Sequence, residues 1–309
     1  MEHLRLRSEP HLHSPVLIYA FTGWNDAGDA ASGALEHMIT NWAATEVGDI
    51  DPEWFTDFAT VRPSVRLDRD DSGRGTPKRH IEWPVVRVWS ASLPGADALL
   101  LLGPEPALRW RMFAEQVVGL AERCGVSMAI SLGALLADFP HSQPTQIIGT
   151  ASDDELLDRF ELRPSTYEGP TGIVGVLGDA LTVAGMPTAS LWATVPGYAA
   201  QIPSPKACEA LVRAACAMVG TTAPTGAFTR AVAEYEARVA ALVAEDQDLA
   251  DYVARLEAFV ADDDDDDDDD ITAEAQRPPL GDDVDPDELY AEVERFLRDS
   301  GPGDPPHPE

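Results

Sequence analysis

Gly23-Trp24-Asn25-Asp26-Ala27-Gly28-Asp29-Ala30 is the stretch that comes nearest to spelling out a chemistry. Its two glycines are spaced as in a loop that cradles phosphate, but such a loop continues with Lys and then Ser or Thr to meet phosphate and magnesium. Asp29 and Ala30 stand there instead, and an anion would face Asp26 and Asp29. The segment therefore reads as a tight turn in which Asn25 or Asp26 caps the following helix. A second reading is that it tops the C-terminal end of a strand, where α/β proteins place their ligands.

Other candidate chemistries fail on spacing. Gly125-Val126-Ser127 brushes against a serine nucleophile elbow, but that elbow sits where a strand ends and a helix begins, and Ser127 precedes the strand it adjoins. The seven histidines, His11 and His13 among them, include no H-E-x-x-H or other ligand spacing, so neither a metal nor a catalytic set is expected. His141, in Phe139-Pro140-His141-Ser142-Gln143-Pro144, follows a strand and a loop and is the one histidine with a candidate role; the plainer reading is a structural turn residue. Around Pro170-Thr171, glycines recur at every third position from Gly169 to Gly178. Thr171 is placed to cap a helix whose glycines let another backbone approach. Free amides at that helix start could take an anion, but no lysine or arginine lies nearby, which favours close packing. Cys124, Cys208 and Cys216 form no C-x-x-C pair and read as reduced, buried thiols.

Apolar runs at 15–21, 85–89, 98–102, 128–132, 146–149 and 189–195 predict strands, and helical patterns at 28–42, 109–123, 152–160, 172–184 and 205–219 lie among them. That alternation predicts an α/β domain over 15–223 after a flexible N-terminus at 1–14, its largely parallel sheet covered by helices on both faces. The stretch 66–79 is charged, lacks apolar periodicity and reads as an exposed loop or hairpin tip. After Pro224, apolar residues from Phe228 to Leu242 and from Leu249 to Val260 keep a 4-3 register interrupted at Asp246. With Asp248 as an N-cap, this predicts a helical hairpin over 224–261, packed on the body or on another chain. Nine consecutive aspartates, Asp262 to Asp270, open a disordered Asp-rich linker at 262–284. A C-terminal helix at 285–299, capped by Asp285 and striped by Leu289, Val293, Phe296 and Leu297, precedes a disordered end at 300–309.

Charge narrows the partners. The formal net charge is −32; residues 262–309 hold 20 acidic and 3 basic side chains, and the remainder holds 34 and 19. Both parts are acidic, and Lys78 and Lys206 are the only lysines. Nucleic acid and anionic membrane are therefore not expected as partners. The first 13 residues hold no apolar core of signal-peptide length, and no apolar run is long enough to span a bilayer, so a cytoplasmic protein is expected.

Five segments form an ordered series: Gly23 to Ala31, Gly103-Pro104-Glu105-Pro106 with Arg109-Trp110, Pro140-His141-Ser142, Tyr167 to Gly172, and Ser204-Pro205-Lys206-Ala207. The series resembles the bacterial, actinobacterial-type branch of the proteasome assembly chaperone 2 (PAC2) family, over roughly residues 16–260. The resemblance implies a three-layer α/β/α sandwich like the phosphorylase/hydrolase fold, used for protein binding without catalysis or cofactor, often as a homo-oligomer. It implies protein partners that are proteasome-related. Family members that dock on proteasome rings can end in a hydrophobic residue, tyrosine and one last residue, whereas this chain ends His307-Pro308-Glu309. Trp24, Asn25, Asp26, Asp29, Glu105, Arg109, His141 and Thr171 are the candidate cleft or interface residues. The alternative expectation is a small-molecule protein, binding or hydrolysing a nucleoside- or phosphate-type compound in a cleft at the strand C-terminal ends.

Overall fold

The structure is a computed structural model that describes residues 2–68 and 78–263. At its centre lie four mutually parallel strands, β7 (Ala96–Pro104), β2 (Val16–Thr22), β8 (Met128–Ala137) and β11 (Thr188–Pro196). Their side chains alternate between two separate cores, as strand geometry requires. Val16, Ile18 and Ala20 of β2 face one core with Leu35 and Met38 of α1 (Ala30–Asn41) and Leu211 and Val212 of α5 (Pro205–Val219). Leu17, Tyr19 and Phe21 face the other, with Phe113 and Val117 of α2 (Trp110–Cys124) and Leu177 and Leu181 of α4 (Ile173–Val183). Burial on both sides explains why these strands read as nearly unbroken apolar runs.

The sheet is mixed, not largely parallel. Its order is β1-β3-β6-β7-β2-β8-β11-β9-β10, and both flanks reverse direction. β6 (Val86–Leu93) joins β7 through Pro94-Gly95, with Gly95 at φ 87°, a two-residue turn that can only return the chain antiparallel. β3 (Thr45–Ile50) pairs antiparallel with β6, and β9 (Ile147–Ala151) with β11. β10 (Arg163–Pro164), beyond α3 (Asp154–Phe160), closes the far edge in parallel with β9. The N-terminus also differs from expectation. Within 1–14, Leu4–Leu6 forms β1, antiparallel to β3, and Arg5 and Arg7 both pair with the side chain of Asp49.

β4 (Ser64–Asp68) and β5 (Lys78–Glu82) form a separate antiparallel ladder; the stretch 66–79 read as an exposed loop or hairpin tip overlaps its ends, and residues 69–77 of that stretch lie outside the described residues. α6 (Phe228–Ala244) and α7 (Gln247–Asp263) follow the main domain, separated where the apolar register breaks. The residue that caps α7 is Asp246, not Asp248: its Oδ1 accepts from the amides of Asp248 at 2.9 Å and Leu249 at 3.2 Å. Phe228, Tyr235 and Val239 of α6 pack into the apolar clusters of the body and Val253 of α7 is buried, while Leu242 of the same seam is exposed. The rest of the acidic linker, the helix expected at 285–299 and the end at 300–309 lie outside the described residues. Among the described residues, no helix is long and apolar enough to cross a membrane.

Candidate functional site

The loop after β2 is held by Asn25 and Asp26, which are buried although polar. The Asn25 carbonyl accepts from Ala134 N of β8 at 2.9 Å, fixing the loop against the neighbouring strand. Asp26 does the capping: its Oδ1 accepts from Ala31 N at 2.7 Å and Ser32 N at 3.1 Å, and its Oδ2 from Ser32 Oγ at 2.5 Å. Burial raises the Asp26 pKa, and the three hydrogen bonds oppose that rise. The cap reaches five and six residues onward because a 3-10 turn, Ala27–Asp29, comes between it and α1. Gly28 in that turn has φ 58°, and a Cβ there would crowd Ser204, Ile202 and Val195. Asp29 is exposed, and its carbonyl accepts from the Cys208 thiol at 3.8 Å. Burial pushes that thiol up to about 12, so it is an inert core group.

Glu105, from the loop after β7, joins this loop to α4. Its Oε1 accepts from Asn25 Nδ2 at 3.2 Å and from Ile173 N at 3.0 Å. Thr171 was expected to cap α4. Gly172 holds the cap position without a side chain, and the Glu105 carboxylate meets the first amide. A Cβ on Gly172 would lie 2.6 Å from Asn25 Oδ1 and 3.0 Å from Glu105 Oε1, so this glycine makes the contact possible. The helix start considered for an external anion therefore already faces a carboxylate of its own chain.

Two further candidates, Arg109 and His141, stand apart from this cluster in their contacts. Arg109, at φ 54° before α2, donates to the Trp54 carbonyl at 2.8 Å and lies 5.2 Å from the centroid of the Trp54 ring. His141 sits where α6 and α7 meet the body. Its amide donates to Tyr198 Oη at 2.7 Å, its Nδ1 is 3.0 Å from that oxygen, and its carbonyl accepts from Lys206 Nζ at 2.8 Å. Lys206 also bonds Glu236 of α6, Ser142 Oγ donates to Glu257 of α7, and Tyr252 Oη of α7 donates to Asp138. Burial holds the His141 pKa below its usual value; Glu257 and Glu236 pull the other way. The cavity beside His141 measures about 10 Å³, room for no more than a water.

Large apolar side chains project from this end of the sheet beside exposed Asp29, Arg109 and Asp138. Trp24 is 69% exposed, and Leu108, Leu136 and Tyr167 are each more than 40% exposed. They belong to the segments after β2 and β7, the end of β8 and the loop before α4, which the Asn25, Glu105 and Ala134 contacts tie together. Sequence reasoning singled out Trp24 and reached Tyr167 only as the start of the Tyr167 to Gly172 segment, and it passed over Leu108 and Leu136. A large apolar residue in a loop next to a strand end was the available signal. Among the described residues no cluster of His, Cys, Asp and Glu could hold a metal ion.

Residues 20–243 match the model of the PAC2 family. A PAC2 family protein from Streptomyces avermitilis MA is 40% identical, with a TM-score of 0.71, the match covering 77% of this chain and 99% of that one. The Mycobacterium tuberculosis proteasome-assembly chaperone homologue Rv2125 is 36% identical, with a TM-score of 0.68 and the same two coverages. PbaB of Pyrococcus furiosus, an archaeal proteasome activator, is 17% identical with a TM-score of 0.61 over 77% of this chain and 97% of its own, a likeness of fold. No curated protein matches the chain. With the family model spanning most of the described body and two relatives above one-third identity, this chain belongs to the PAC2 family.

Proposed function

We propose that this chain is a non-catalytic protein-binding factor of the proteasome-assembly-chaperone kind, and that its partner is proteasome-related. One observation carries the reading: the polar candidates Asn25, Asp26 and Glu105 are tied up in holding loops together, while Trp24 projects from the frame they make. A rigidly mounted exposed tryptophan is the kind of side chain that anchors a protein interface. The likeness to Rv2125, a proteasome-assembly chaperone homologue, and to PbaB, a proteasome activator, supports the choice of partner. The small-molecule alternative gains nothing from the geometry, since the cavity at His141 is the size of a water and Arg109 is directed at Trp54.

Finer parts of the reading stand on the same footing. We read the architecture as a three-layer α/β/α sandwich of the phosphorylase/hydrolase type, with α6 and α7 as a helical hairpin appended to the 15–223 domain and the acidic tract as a spacer. A cytoplasmic, homo-oligomeric protein without cofactor fits this account. The test is crosslinked affinity capture from the native cytosol with the full chain and with Trp24→Ala. Proteasome subunits recovered by the first and depleted at least tenfold by the second support the proposal. Recovery without proteasome subunits, or equal recovery by both chains, rejects it.

A further inference from the structure

Tyr235 of α6 is 4% exposed, and among the described residues its Oη is the one buried side-chain polar atom that meets no hydrogen-bond partner. A buried hydroxyl without a partner carries the full cost of its desolvation. Folded proteins nearly always supply one, from their own chain or from ordered water. The Tyr235 ring belongs to a small apolar cluster with Ala199 and Val239. Its hydroxyl end lies beside Ser204, whose side chain opposes the rise that burial causes in the Tyr235 pKa, although the two oxygens do not meet in hydrogen-bond geometry.

Tyr235 and Ser204 both line the cavity of about 10 Å³ next to His141, together with Gln143, Thr145 and Lys206. A cavity on the order of 10–15 Å³ takes one water when roughly two to four polar groups face it. Ser204 is a partner with capacity left: its Oγ accepts from Ala207 N at 3.3 Å, which caps α5, and its own O–H meets no acceptor among the described residues. We propose that one ordered water is built into this cavity, accepting from the hydroxyls of Tyr235 and Ser204, with its own hydrogens turned to the wall that Gln143 and Thr145 share. Ser204 N donates to the Gly28 carbonyl at 2.7 Å. The water therefore completes a hydrogen-bonded path from α6, through the start of α5, to the turn behind Trp24. It fixes α6 to the body, a role that does not depend on the proteasome reading.

The test joins a high-resolution crystal structure of the full chain to denaturant unfolding of Tyr235→Phe, Ser204→Ala and the double variant. The crystal structure shows a water within hydrogen-bond distance of both Tyr235 Oη and Ser204 Oγ. Tyr235→Phe keeps the ring and its packing, removes only the hydroxyl, and lowers the folded-to-unfolded ratio about fivefold. A hydroxyl without a partner predicts the opposite sign, since its removal relieves a buried unpaired group. Ser204→Ala also loses the cap of α5, but that loss is the same in both backgrounds. Because the two hydroxyls share one water, the double variant is less destabilised than the sum of the singles. No density between the two oxygens, a direct Tyr235–Ser204 hydrogen bond in its place, a Tyr235→Phe chain at least as stable as wild type, or strictly additive singles overturns the proposal.

Discussion

Asp26 and Glu105 both satisfy the start of a helix, yet only one was legible in the sequence. Asp26 lies just before the helix it caps, where an Asx residue has its ordinary role. Glu105 is 68 residues from Ile173, and its role emerges only when the sheet brings two loop ends together. Thr171 had the right type and position for the cap, but the glycine after it lets the distant carboxylate reach the amide first. Asp26→Ala removes a buried acceptor of three hydrogen bonds and should cost about 2–3 kcal/mol in denaturant unfolding. His141 makes stability depend on pH in the same direction as a paired carboxylate, although here it is the neutral form that folding favours. Its pKa is lowered in the folded state, so its contribution is present above its unfolded value of about 6.5 and is lost as pH falls through the folded value. His141→Gln should be less stable than wild type at pH 7.5, and the gap between their melting temperatures should narrow on acidification.

The strands that sequence patterning revealed most plainly are those buried on both faces, although β6 and β9 also showed as short apolar runs. β2, β7, β8 and β11 announced themselves as apolar runs. β1 and β10 are too short to show a period, and β3, Thr-Glu-Val-Gly-Asp-Ile, alternates poorly because its first residues lie at the surface. Strand direction was hidden for a different reason. An alternation of strands and helices suggests crossovers, and the reversals at β6 and β9 depend on which edge each strand joins. One glycine marks how closely two of these strands approach. A Cβ on Gly103 would lie 2.5 Å from Val86 Cα and 2.7 Å from the Val85 carbonyl, both backbone atoms of the β6 side. Gly103→Ala should therefore destabilise the chain by about 3 kcal/mol, read by thermal or denaturant unfolding, because neither neighbour can rotate away.

At the scale of the whole molecule, the net charge of −32 was plain from composition, as was the change of pattern after Pro224 that leads into the helices α6 and α7. What composition could not reveal is how those helices are attached. α6 is anchored by buried Phe228, Tyr235 and Val239, whereas among its described side chains α7 fully buries Val253 and holds the body through Tyr252–Asp138, Ser142–Glu257 and an edge-on contact of the Tyr252 ring with Tyr198. The attachment has a mechanical meaning. A pull on the chain beyond Asp263 loads α7 first, and its few bonds to the body break one after another, whereas the central strands share load across many ladder bonds at once. In a pulling experiment with handles at residues 15 and 263, α7 should peel off in a separate low-force step, well below the force that opens the sheet. Tyr252→Phe should lower that first force and leave the second unchanged. A partner that tugs on the C-terminal end could thus uncover the loop carrying Asp138, His141 and Ser142 without unfolding the domain beneath it.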